Sequence, residues 1–396
     1  MGHINMCIGL VQQLAKRGHR LAVMATREHI EAFNINKYIN DDNNVELVRL
    51  PEPGLLLGPS SLGTSDFWSE TNLLNDSTPL YKQCTIIGHA MKCIFNAIDQ
   101  DNLLIEKLIG SVDPDLIVTD YAYTYPAIEQ SGRPIVKIWV PARLSGLNHN
   151  RLPPHGSGLP INSDIAMFDE FRQHFHNSIK QIWESYNQYM LTNNCRPLPS
   201  DMFFNIDNCL NIYAHPRELN QLYENIERLP KNVIRVDHML RQCRVGEQQF
   251  EIPDKLIDKS GKLVYFSMGT LCSMNPKLFV RIIDILGKSR NRFIVAVCPE
   301  LSDYNLPDNV WGQPGLPQLA ILPLVDLVIT HCGNNTICET MYFGKPMICL
   351  PVYSDQYDHS QRVHESGFGI RLDVHKCTER QLLGSIDSLL ADKSIS

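Results

Sequence analysis

No run of apolar residues in this chain approaches the ~18 that a membrane span requires, and its opening residues do not form a secretory leader. The chain is therefore expected in the cytoplasm, with a signal peptide or membrane tail on a longer parent left open. A basic field is missing as well. Lys and Arg number 36 against 43 Asp and Glu, for a net charge of −7, so neither nucleic acid nor an anionic membrane is an expected partner. The 12 cysteines include no Cys-x-x-Cys pair and no Cys/His metal spacing. That argues against a disulfide frame or a zinc site and for reduced, mostly buried thiols. With 396 residues, 43% of them hydrophobic, the chain can bury two cores, and a bilobed molecule is expected.

What is present is concentrated in residues 324–356. The apolar run 324–329 reads as a buried strand, and 331–339, His-Cys-Gly-Asn-Asn-Thr-Ile-Cys-Glu, follows it and opens a helical pattern. At such a junction the first backbone N–H groups of the helix are unpaired and its dipole is positive, so the turn suits an anion such as a diphosphate. Gly333 permits close backbone approach, while Asn334, Asn335 and Thr336 can cap the helix or bind a ligand. Glu339, one to two turns on, can reach a ribose hydroxyl. Residues 344–351 read as a turn and a second buried strand that delivers Asp355 and Gln356 to the same sheet edge, where they can hydrogen-bond a sugar. His331 can bond a phosphate oxygen or cap the strand before it. Cys332 and Cys338 read as small packing residues.

Elsewhere the pattern alternates helix and strand, as in a parallel α/β sheet. Residues 6–17 carry Ile8, Leu10, Val11 and Leu14 at helical spacing and end at Gly18, with a turn at 2–5 before them. Strands are expected at 21–25, 45–50, 115–120 (ending in Asp120) and 135–140. Long loops are expected at 51–79 and 141–160, and a helical region at 165–192. Polar residues 242–261 read as a linker between a first domain, 1–241, and a second, 262–396. Just after the second domain's first strand, Ser267, Gly269 and Thr270 form a turn of small residues. A diphosphate can lie between it and the turn at Gly333, or it is an ordinary βα turn. His155, His174 and His176 show no partner spacing, and a loop histidine such as His155 reads as solvated.

Taken in order, Trp311, Leu316-Pro317-Gln318, His331-Cys332-Gly333, Glu339 and Asp355-Gln356 resemble the signature of the UDP-dependent glycosyltransferases of the UDP-glucosyl/glucuronosyltransferase type. Gly2-His3-Ile4-Asn5, residues 115–120 and Phe266-Ser267-Met268-Gly269-Thr270 extend the resemblance over most of the chain. It implies the GT-B architecture: two Rossmann-like, doubly wound parallel-sheet α/β domains facing each other across a cleft, the acceptor in the first and the nucleotide-sugar in the second. It further implies a UDP-sugar donor, a small lipophilic hydroxylated acceptor, inverting hexosyl transfer of the kind used in detoxification, no separate cofactor and no metal. His3 matches the family's general base and Asp120 the carboxylate that orients it. Such a pair suits the chemistry, because an acceptor hydroxyl is a poor nucleophile and imidazole titrates near the working pH. The helix start at 333–336 and His331 would supply positive potential to the leaving UDP. The position three before Gln318, often aromatic in the family, is Gly315. Trp311 either stacks on the base in its place or packs the loop, which leaves Gln318 as the nucleoside's partner.

The resemblance also implies a strand ahead of the Gly-His-x-Asn turn and a closing helix beyond 378–396, and neither is found. A first sheet short of its central strand is therefore expected. An inactive nucleotide-sugar-binding paralogue or a truncated fragment stands as the alternative to an active transferase. A GT-B epimerase is a third reading, against which the Gly-His-x-Asn turn argues.

Overall fold

The computed structural model of the chain describes residues 2–26, 30, 44–50, 71, 73–120, 122–141, 143–147, 149–242, 249–269, 275–298, 301 and 304–392. Helix α1 spans Gly2–Lys16, so the turn expected at 2–5 is helical instead. Nothing in Gly2-His3-Ile4-Asn5 stops a helix, and Ile4 continues the apolar stripe of Ile8 and Val11. That stripe packs on strands β1 (Leu21–Thr26) and β2 (Val45–Leu50). The flank carrying Met6 and Leu10 packs on Ile138, Val140 and Ala214.

Those three residues border a different sheet. Strands β1 and β2 pair in parallel as a sheet of two. Strands β3 (Ile117–Thr119), β4 (Ile135–Ile138), β5 (Leu210–Ala214) and β6 (Val233–Val236) pair in parallel as a separate sheet of four. Among the described residues no strand joins β1 to β3, and α1 is the element that rests on both sheets. Helices α2 (Pro79–Val112), α3 (Pro126–Glu129) and α4 (Ile165–Thr192) cover the four-stranded sheet around Ile94, Ile98 and Tyr186. Thr78 caps α2 by accepting from the Tyr81 N–H, with Pro79 in the first turn where its missing N–H costs nothing.

After helix α5 (Arg217–Glu224) and β6 the chain enters the second lobe through the short helix α6 (Asp254–Ile257). The stretch read as a linker is partly apolar: Phe250, Ile252 and Leu256 pack against Tyr265, Ile294 and Trp311; residues 243–248 lie outside the described ones. The second sheet comprises β7 (Leu263–Ser267), β8 (Arg292–Ala296), β9 (Val310–Gln313), β10 (Leu327–Thr330), β11 (Met347–Cys349) and β12 (Gly369–Arg371). All six are parallel, in the order β12-β11-β10-β7-β8-β9. Because the winding reverses between β7 and β10, the crevice at their C-terminal ends is the switch point where doubly wound sheets bind ligands. Strand β10 starts at Leu327 and not at 324, since Leu322–Leu324 forms a 3-10 turn with Pro323 in it. Helices α7 (Pro276–Leu286), α8 (Gln318–Ile321), α9 (Asn334–Tyr342), α10 (Asp355–Glu365) and α11 (Glu379–Ala391) complete the lobe. Among the described residues no helix is long and apolar enough to cross a membrane. All ten described cysteines are free thiols, five of them buried.

Candidate functional site

Thr330 at the end of β10 is the register partner of Ser267 at the end of β7, so the turns leaving both strands lie side by side. Gly269 has φ +67°, and a Cβ there would stand 2.5 Å from His331 Cε1; a Cβ on Gly333 would stand 2.6 Å from His331 Nε2. The His331 ring is therefore wedged between two positions that only glycine can fill. Thr270, the third residue read into the first turn, lies outside the described residues. Burial holds the His331 pKa down to about 4, with Asp355 and a bond to the Ser267 backbone opposing it. At neutral pH this imidazole is uncharged. The positive charge expected of it is thus corrected to a neutral hydrogen-bonding group, and the positive potential of this turn belongs to the start of α9. Cys332 at φ +65° and Ser354 at φ +51° are non-glycine residues in left-handed backbone, strained by about 1 kcal/mol or more each, and each lies within two residues of α9 or α10.

Behind the turn lies a buried polar network. Glu339 accepts from the Gln318 amide and from Asn335 Nδ2 at 2.6 Å, and Gln318 Oε1 accepts from Tyr265 O–H at 3.3 Å. Burial raises the Glu339 pKa, and the bonds from Gln318 and Asn335 pull it back. Thr336 Oγ1 lies 3.5 Å from Gln318 Nε2. Asn334, read as a cap or a ligand, is not a cap here, because Gly333 is the N-cap of α9 without a side-chain cap bond. The Asn334 amide nitrogen donates across the cleft to the carbonyls of Val140 at 2.7 Å and Ala214 at 2.9 Å, and its Oδ1 accepts from His215 Nδ1 at 3.1 Å. Asp355 opens α10 and stands 3.7 Å from His359 Nδ1, which donates to the Cys332 carbonyl. Gln356 Oε1 accepts from the Val352 and Tyr353 N–H groups. Trp311 packs on Phe250, with ring centroids 5.9 Å apart.

In the first lobe Asp120 follows β3 and accepts from the Cys7 thiol at 3.7 Å. Residue 3 lies one helical turn before Cys7 in α1; the His3 side chain is outside what the structure describes. Three histidine pairings escaped the sequence reading. His215, at the C-terminal end of β5, is fully buried beside His359, with ring centroids 5.3 Å apart. His155, read as solvated, is bonded to the buried Asp358 at 3.1 Å. His176, too, bonds Asp201 at 2.7 Å. These partners lie 25 to 203 residues away in sequence, beyond the reach of local spacing.

A family model described as "UDP-glucoronosyl and UDP-glucosyl transferase" matches residues 242–396. The NDP-glycosyltransferase YjiC of Bacillus subtilis (strain 168) is 22% identical over 405 residues, covering 100% of this chain and 88% of the relative. Homo sapiens UDP-glucuronosyltransferase 1A6 is 24% identical over 400 residues, covering 97% and 73%. Among solved structures, the glycotransferase of kitacinnamycin superposes with a TM-score of 0.64 at 16% identity, covering 100% of this chain and 89% of that one. The glycosyltransferase VinC, solved in complex with DTDP, gives 0.60 at 17%, covering 100% and 90%. These structures carry the GT-B fold, two parallel-sheet lobes as seen here. The second lobe thus carries the match to the UDP-glycosyltransferase family model, and along its whole length the chain is similar in sequence and in fold to glycosyltransferases.

Proposed function

We propose that the chain transfers a hexose, with inversion, from a UDP-sugar to a hydroxyl of a small lipophilic acceptor. The observation that carries this reading is the buried Gln318–Glu339–Asn335 network behind the turns that meet at His331. A carboxylate held in the interior by two amides at a sheet switch point suits a ribose, and the adjoining helix start suits its diphosphate. In this reading the acceptor oxygen attacks the anomeric carbon from the face opposite UDP and gives its proton to His3, which Asp120 orients. The bond to UDP breaks, and its electron pair passes to a β-phosphate oxygen stabilised by the N–H groups of α9 and a neutral bond from His331. Ser267 and Gly269 flank the diphosphate, Gln318 meets the nucleoside, and Asp355 and Gln356 take the sugar hydroxyls. No step requires a metal, and turnover is expected to persist in EDTA.

Calorimetry tests the donor site. UDP should bind, and Glu339→Ala or Gly333→Val should weaken it by about tenfold or more, a loss of roughly 1.4 kcal/mol. A folded wild-type chain that gives no heat with UDP overturns the assignment. His3→Ala should abolish transfer and leave UDP affinity nearly unchanged. A second reading, binding without turnover, is favoured by the division of the first lobe's strands into two sheets under α1. UDP heat without any transferred sugar from the wild-type chain would decide for it.

A further inference from the structure

The loop that follows β4 is gripped by the opposite lobe through its backbone. Asp358, in α10, accepts from the Gly156 N–H at 2.7 Å through Oδ2 and from the Gly158 N–H at 2.9 Å through Oδ1, and His155 Nδ1 joins Oδ2 at 3.1 Å. Arg371 donates to the Gly158 carbonyl at 2.6 Å, Arg362 to the Leu159 carbonyl at 2.9 Å, and Glu365 accepts from the Ile161 N–H at 3.0 Å. Four charged side chains of one lobe thus read the amides and carbonyls of 156–161 in the other. Glycine is required at two of these positions. Gly156 has φ +78°, with Gln83 Oε1 2.4 Å from where its Cβ would be; Gly158 has φ +60°, with Tyr357 Cβ at 2.6 Å. The grip is buried, Asp358 being 4% exposed and Arg362 1%. A carboxylate taken out of water and given three donors is costly to leave unpaired, so the contact is either fully made or broken.

Asp358 sits one turn beyond Asp355 on the same helix. We propose that Asp358 is a positioning residue: by holding strap 155–161 it fixes where Asp355 and Gln356 stand against the first lobe and keeps the cleft shut to water while the sugar is transferred. The kinetic half of this rests on the transfer reading above; the grip itself does not.

The test breaks the strap from either side, with Asp358→Ala in one lobe and Gly158→Ala in the other, so that misfolding of one variant leaves the second to decide. Hydrogen exchange of the amides at 155–161 should speed up by about a hundredfold in both, as in a segment that opens locally. Release of free sugar relative to transferred sugar should rise by about tenfold as water reaches the donor, with UDP affinity held within about threefold. General destabilisation would lower hydrolysis and transfer together and leave their ratio unmoved. Unchanged exchange overturns the grip; faster exchange with an unchanged ratio overturns the positioning role. A wild-type chain that neither binds UDP nor transfers sugar overturns the functional reading and the kinetic role with it, and the exchange measurement still decides the grip.

Discussion

His215 and His331 are imidazoles that burial keeps neutral. The pKa of His215 is lowered to about 3, by burial first and by the neighbouring His359 second, and that of His331 to about 4. Both lie below the ordinary value near 6.5, so as pH falls through 6.5 the unfolded chain takes up protons that the folded chain refuses. The stability these groups contribute is complete above pH 6.5 and is lost as pH falls towards 4 and 3, by about 1.4 kcal/mol per pH unit for each. His155 has the opposite sign: burial lowers it, but the bond to Asp358 and that residue's charge outweigh burial and raise it. Its contribution is present at low pH and fades as pH rises through the raised value. We predict that the urea midpoint drops between pH 6.5 and 4, and that His215→Gln, which keeps a donor for Asn334 Oδ1, removes about one proton from that slope. Equal slopes in the two proteins would show that His215 is not neutral in the folded state.

Among the elements, the paired turns after β7 and β10 tolerate the least change. Gly269→Ala combines a left-handed φ with a Cβ at 2.5 Å from the His331 ring. It is expected to destabilise by about 1–3 kcal/mol and to weaken UDP binding; a variant as stable as wild type would mean the ring moves aside freely. These turns were legible in the sequence because a switch-point turn is a local pattern, an apolar run followed by Gly and helix-capping residues. Helix α4 was legible for the same reason, and its bounds, Ile165–Thr192, agree with the sequence reading. The start of α1 was not, because family likeness suggested a turn where local propensity allows a helix. Nor was the neutrality of His331, which comes from burial by both turns at once. The engagement of Asn334 with Val140 and Ala214, 194 and 120 residues away, and that of Asp358 with the strap, are pairings that no single stretch of sequence displays.

At the scale of the whole molecule, the six strands among the described residues of the first lobe are divided two and four, and α1 rests on both groups. Strands β1 and β3 each have an edge without a strand partner among the described residues, and Met24 and Val118 on them are 38% and 40% exposed. A segment of about eight apolar, β-branched residues fused ahead of Met1 is predicted to raise Tm. Each ladder bond it forms should contribute about 0.5–1.5 kcal/mol. No rise in Tm would mean that these edges do not accept a strand.

The strap has a consequence for how the molecule is made. Its bonds join residues 200 to 213 positions apart, and domains fold as units from the N-terminus while the chain is being synthesised. The first lobe must therefore complete its own sheets with residues 155–161 still ungripped, and wait until Asp358, Arg362 and Arg371 have emerged. The seam between the lobes closes late in biosynthesis, so an error in translating residue 358 would first be felt in a loop laid down some two hundred residues earlier.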